Sequence, residues 1–222
     1  MNPSVSRRRL LQTSAGTAAV LLTPSLLARS AAAPTAAEIM GPYYPVKRPL
    51  DDDADLTRVK GRPGTAQGRV IDLQGRVINT RGRPVAGARV EMWQANTHGR
   101  YAHASDPNIE APLDPAFQGF GQQVTTAEGE FRFLTVVPGP YPVVDGTDRW
   151  LRTPHIHFDI RGAHDRLVTQ IYFGDQPLNG SDRLYQALSP ADRETVTLHL
   201  QPAPPSARPI AVARWLVVLS TG

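Results

Sequence analysis

Cysteine is absent from this chain of 222 residues. No disulfide can staple it, and no CxxC zinc site can form. A surplus of one charge is missing as well, despite a net charge of +4, because the first 33 residues hold four arginines (Arg7, Arg8, Arg9, Arg29) and no acid. The remainder carries 20 basic and 20 acidic side chains. A neutral body has no electrostatic footprint for DNA, RNA or anionic lipid. The chain also lacks a long hydrophobic run: the apolar stretch from Thr13 to Ala28 is broken by Gly16 and Pro24, short of the roughly 20 apolar residues that span a bilayer. There is no internal repeat, phosphate-cradling glycine loop or Ser-His-Asp arrangement.

The amino terminus carries an ordered signal. Ser6-Arg7-Arg8-Arg9-Leu10-Leu11-Gln12 precedes the apolar run, and Ala31-Ala32-Ala33 closes it. Basic, apolar and small-residue blocks in that order are expected of a twin-arginine export signal over residues 1–33, rather than of a frayed basic tail or a membrane anchor. The expected location is therefore periplasmic or extracellular, with no stable membrane insertion once the signal is removed. Residues 34–64 form a polar, proline-containing lead. Residues 65–222 are long enough to bury one core without staples and are expected to form a single domain.

That domain reads as a series of short β-like runs punctuated by Gly, Pro, Asn and Asp. Candidate strands are Gly68 to Leu73, Arg76 to Asn79, Ala88 to Gln94, Gln123 to Thr126, Glu130 to Val136, His155 to Ile160, Leu167 to Phe173, Thr195 to Leu200 and Val212 to Leu219. Several alternate apolar with polar residues, as in Phe131-Arg132-Phe133-Leu134. Such spacing predicts an all-β sandwich of two mostly antiparallel sheets with long loops. At most one short helix is expected, near Ser181 to Leu188 and capped by Ser181. The 21 prolines are dispersed, so they stiffen loops. Pro202 to Pro209 reads as a loop before the last strand.

Chemistry concentrates in Pro154-His155-Ile156-His157, downstream of Tyr101 and Tyr141, each framed by turn residues. Alternate strand side chains share a face, so His155 and His157 can aim at one metal while Ile156 packs behind. Taken singly these residues have plain readings. The histidines suit a strand pair or a zinc site, Tyr101 suits packing and Tyr141 suits a turn. Together, two imidazoles and two phenols call for a strong Lewis acid, since a phenol with pKa about 10 ionises near neutrality only beside one. Fe(III) suits that set better than Zn(II).

Further blocks accompany these: Gly41-Pro42-Tyr43-Tyr44-Pro45, Trp93-Gln94-Ala95-Asn96, Pro138-Gly139-Pro140-Tyr141-Pro142, Arg152-x-Pro154-His155-x-His157-Phe158 and Thr169-Gln170-x-Tyr172-Phe173. In this order the chain resembles the intradiol ring-cleavage dioxygenases, and within them the iron-bearing chains of protocatechuate 3,4-dioxygenases. The resemblance implies a non-haem Fe(III) held by Tyr101, Tyr141, His155 and His157. It implies a catechol-type, protocatechuate-like substrate and O2, with both oxygen atoms inserted and the ring opened between its hydroxylated carbons to a cis,cis-muconate-type diacid. Tyr141 would be the ligand that leaves and accepts a proton. Arg152 would stabilise negative charge on the ring, although a surface ion pair also suits it, and Gln170 would line the same pocket or simply satisfy a backbone group. A homo-oligomer or a second intradiol-like chain would complete the pocket. Val143 follows Pro142 where that branch carries a tryptophan, which implies a smaller or differently shaped wall and a substrate with a bulkier substituent.

Of the other histidines, His98, His164 and His199 read as surface residues and His103 as the one nearest the mouth. Two other classes compete. An exported transthyretin-like or carboxypeptidase-regulatory-like binding module would explain Gly82 to Val90 but none of the ligand positions. A cupin would need a carboxylate and a further histidine, and no glutamate follows His157 until Glu194.

Overall fold

The computed structural model describes residues 32–49, 51–205 and 207–221. The export signal expected over residues 1–33 lies almost wholly outside the described residues. Among them, no helix is long and apolar enough to cross a membrane.

The elements run β1 (Val70–Asn79), β2 (Arg89–Trp93), β3 (Phe120–Val124), β4 (Glu130–Val136), β5 (Tyr141–Asp145), β6 (Asp148–Arg152), β7 (His155–Arg161), β8 (Arg166–Phe173), α1 (Arg183–Ala187), α2 (Pro190–Val196), β9 (Thr197–Leu198), β10 (Gln201–Pro202) and β11 (Ala211–Leu219). One sheet has the order β10-β11-β1-β4 and the other β3-β2-β7-β8-β9, with β5 and β6 as a separate hairpin. Most neighbours are antiparallel, and the β1–β11 and β8–β9 pairs are parallel. The all-β sandwich is thus the fold.

Alternation builds the core between the sheets. Leu73, Val77, Phe133 and Val217 come from one sheet, and Met92, Ile156, Phe158, Ile160 and Ile171 from the other, all with no exposure. At roughly 1.5–3 kcal/mol for each such side chain, this burial is the main force holding the two layers together.

The local differences from the sequence reading have physical causes. The two runs expected on either side of Gln74 and Gly75 form one strand, β1, because the ring of Phe131 on β4 lies over Gly75, its register partner, and fills the space a side chain would take. The hairpin β5–β6 was not foreseen; Gly146, with φ of 59°, turns it. Helix α1 begins after Asp182, not Ser181, since the Asp182 carboxylate accepts from the backbone N–H of Leu184 and of Tyr185. A second short helix, α2, adds to the one expected; Ser189 caps it and Pro190 opens it. Pro202 pairs on the outer edge of its sheet, where a missing N–H faces solvent.

Candidate metal centre

Strand β7 lies in the middle of the five-stranded sheet, and its alternation turns Ile156 into the core and His155 and His157 to the opposite face. The Thr153 carbonyl is 2.6 Å from His155 Nδ1. A carbonyl only accepts, so Nδ1 carries the proton and Nε2 is a bare lone pair. That Nε2 sits 3.2 Å from Nε2 of His157. Burial, with the Arg152 charge as a second cause, holds both imidazoles neutral, His155 well below the usual histidine range and His157 down to about 3.

The tyrosines arrive from two loops that touch through glycine. A Cβ on Gly99 would stand 2.0 Å from the Pro140 carbonyl oxygen, and one on Gly139 would stand 2.5 Å from the Gly99 nitrogen. Only bare backbone on both sides permits this approach. Asn96 ties the two loops together, its carbonyl accepting from the N–H of Gly99 and of Gly139. Tyr101 is then seated against Tyr141, ring centroids 5.3 Å apart and nearly perpendicular. Tyr141 Oη is 3.4 Å from His155 Nε2. The remaining sides of the quadrilateral are 4.9 Å between the two histidine rings, 5.4 Å between Tyr141 and His155, and 6.4 Å between Tyr101 and His157.

All four side chains are buried. Tyr101 Oη and His157 Nδ1 find no hydrogen-bond partner among the described residues. Burial raises both phenols above their ordinary value, Tyr101 the more strongly. Four neutral donors, one of them an orphaned buried hydroxyl, converge without a charge among them. Loss of two phenolic protons would convert the set into two anionic oxygens and two imidazole nitrogens, a donor set suited to a hard, highly charged cation. Among the described residues no three His, Cys, Asp or Glu side chains form a metal-sized cluster, so a cupin-like set has no counterpart there.

Hairpin β5–β6 carries its first and last residues as a directly opposed pair, Tyr141 with Arg152. Arg152 is 3% exposed. The ion pair considered for it exists, but inside: Nε donates to Asp182 Oδ2 at 2.9 Å, and Nη2 donates to Gln170 Oε1 at 2.7 Å. Gln170 takes the backbone role considered for it, its Nε2 donating to the Ile39 carbonyl at 3.0 Å. Tyr172 Oη, 3.3 Å from Arg152 Nη2, donates to Glu38 Oε2 at 2.6 Å.

The lead segment closes over this face. Gly41 packs against the His157 ring, where a Cβ would meet Cε1 at 3.1 Å. Tyr43 lies 4.4 Å from Tyr101 between ring centroids. A cavity of about 320 Å³ opens beside Tyr141 and Arg152. Tyr101 faces a separate one of about 130 Å³, which His103 also lines. His98, His164 and His199 are exposed. Sequence reasoning gave no role to Glu38, Trp93, Trp150 or Asp182. Trp93 stood inside a quoted block, whereas Glu38 and Asp182 reach Tyr172 and Arg152 from distant parts of the chain without a local pattern.

Comparison with known proteins bears on this geometry. A family model described as Dioxygenase matches residues 39–218. The protocatechuate 3,4-dioxygenase beta chain of Burkholderia cepacia is 42% identical over 144 residues, 64% of this chain and 60% of that protein. Catechol 1,2-dioxygenase of Candida albicans is 29% identical over 182 residues, 75% of this chain and 54% of that one. Among solved structures, the dioxygenase domain of a dioxygenase carbohydrate-binding protein fusion from the cellulolytic bacterium Streptomyces sp. SirexAA-E matches with a TM-score of 0.60 at 27% identity, covering 86% of this chain and 100% of that one. The chain spans only 54% to 60% of the length of these two curated relatives.

Proposed function

Because this chain belongs to the family of intradiol ring-cleavage dioxygenases, we propose that it cleaves a catechol-type ring between the two hydroxylated carbons, using O2 and a non-haem Fe(III) held by Tyr101, Tyr141, His155 and His157. The observation that carries this reading is the closed quadrilateral of two phenols and two imidazoles with an orphaned buried hydroxyl. When bound, the ferric ion supplies a Lewis-acidic centre that withdraws electron density from a chelated catecholate and readies its ring for O2.

The protein's own groups divide the remaining work. Tyr141 borders the larger cavity and Tyr101 does not. Of the two phenols that would hold the ion, Tyr141 is the one substrate can reach, and its Oη would accept a catechol proton, while Tyr101 would stay in place. Arg152 keeps its charge and presents it to negative charge developing on the ring. Asp182 and Gln170 pin the guanidinium, so that charge is fixed in direction before substrate arrives. Gly41 and Tyr43 of the lead keep water from the ligand rings. The product is a cis,cis-muconate-type diacid.

The 42% identity to a protocatechuate 3,4-dioxygenase chain supports a protocatechuate-like ring, a single catechol bearing one substituent. Arg7 to Arg9 with the apolar run behind them support export of the folded protein by the twin-arginine route to the periplasm or beyond. Replacing Arg7 and Arg8 with lysine should leave the protein in the cytoplasm.

Metal analysis with a product assay tests the function. The purified protein should contain iron, show the burgundy colour of tyrosinate bound to Fe(III), and give a product opened between the hydroxylated carbons. Colourless protein filled with zinc, or opening beside the two hydroxyls, overturns it.

A further inference from the structure

The inner face of hairpin β5–β6 continues beyond the Tyr141–Arg152 pair. Side chains alternate along each strand, so the next residues on that face are Val143 and Trp150, which oppose each other in register. Both line the 320 Å³ cavity, with Leu184 from α1 and Ile39 from the lead across from them. A catechol reaching Tyr141 with its hydroxyls projects its far side into this group. The volume lies at the lower end of the ~300–1,000 Å³ usual for ligand pockets, which suits one ring and a modest substituent.

The charge on the cavity wall is held by a carboxylate. Arg152 is the charged residue on its wall, and its partner Asp182 is fully buried at 2.9 Å. Arg183, whose guanidinium lies 5.4 Å from the Trp150 ring, pairs with Asp148. A substrate carboxylate would leave water to face aliphatic side chains and an indole, with Arg152 the only cation among the lining residues and committed to the ring, whereas an alkyl or aryl group would bury apolar surface there.

Resting on the dioxygenase reading above, we propose that Val143, Trp150, Leu184 and Ile39 form a substituent subsite for uncharged apolar groups. The substrate class is then alkyl- or aryl-substituted catechols rather than carboxylated ones. A relative 42% identical to this chain carries protocatechuate in its name, so the inference goes against the simplest transfer.

Two measurements on the iron-loaded full chain decide it. The first is binding of two phenols that lack the second hydroxyl, 4-methylphenol and 4-hydroxybenzoate, by calorimetry. The expected result is at least tenfold tighter binding of 4-methylphenol; equal affinity, the reverse order, or no binding of 4-methylphenol overturns the subsite. The second is kcat/KM for 4-methylcatechol against protocatechuate, expected to favour the former at least tenfold and to move toward protocatechuate by tenfold or more in Val143→Arg. Equal or better turnover of protocatechuate by the native protein overturns the inference. Should no catechol be cleaved at all, the dioxygenase reading fails, while the contrast between the two phenols still decides the chemistry of the subsite.

Discussion

Trp93 lies flat against His157, with ring centroids 5.0 Å apart and planes within 10°, because β2 and β7 place the two residues directly opposite in register. Its indole Nε1 is buried and has no hydrogen-bond partner among the described residues. The useful part of Trp93 is therefore its face, which fixes the plane of the His157 ring. Trp93→Phe removes an orphaned N–H and keeps an aromatic face, so stability and iron content should stay near those of the native protein. Trp93→Ala should lower stability by about 3–5 kcal/mol and lower iron content too. Denaturant melts and metal analysis on both variants check this.

Tyr101→Phe separates metal binding from folding. The Tyr101 hydroxyl is buried without a partner, and losing such a group is neutral or stabilising by about 1–3 kcal/mol. Metal-free Tyr101→Phe should thus melt at or above the temperature of the metal-free native protein. Iron retention should fall by more than the ~10–100-fold typical of losing an outer partner of a ligand. Melting curves of the two metal-free proteins, read with iron competition by a chelator, test both halves.

Parts of this site were legible in the chain and parts were not, for reasons of distance and disguise. His155 and His157 could be read together because a strand repeats every two residues and the run around them is uninterrupted. Tyr101 and Tyr141 carry no such local signal. Their meeting depends on Gly99 touching Pro140 and Gly139 touching Gly99, so donor chemistry and resemblance could single them out but spacing could not bring them together. Hairpin β5–β6 was hidden by Pro142 and by the polar residues around Gly146, which look like loop. With it went the register that opposes Tyr141 to Arg152. Asp182 and Glu38 act from 30 residues after Arg152 and 134 before Tyr172, and no periodicity reaches that far.

Asp182 supports both Arg152 and the start of α1. It is fully buried, and its two oxygens accept from Arg152 Nε, Thr153 N, Leu184 N and Tyr185 N at 2.8–3.0 Å. Asp182→Asn keeps the size but strands a buried guanidinium, a change that typically costs about 3–5 kcal/mol. Iron binding should persist, because no ligand is touched, while kcat falls as Arg152 loses its direction. A variant that melts lower, keeps its colour and turns over slowly is the expected result. Unchanged kcat would remove the pinning role.

Glu38 gives the fold a pH dependence of definite sign. Burial, helped by repulsion from Asp182, outweighs the bond from Tyr172 and the attraction of Arg152 and moves its carboxyl from the ordinary 4.5 up to about 7. A carboxyl raised in the folded state binds its proton more tightly there than in the unfolded chain. The stability it contributes is full below about pH 4.5 and is lost as pH rises through about 7. The loss should not exceed about 2–3 kcal/mol, since the side chain is only partly shielded from solvent. Glu38→Gln keeps an acceptor for Tyr172 and cannot ionise, so its melting temperature should stay level from pH 5 to 8 while that of the native protein declines. Parallel declines in the two proteins would assign the titration to another group.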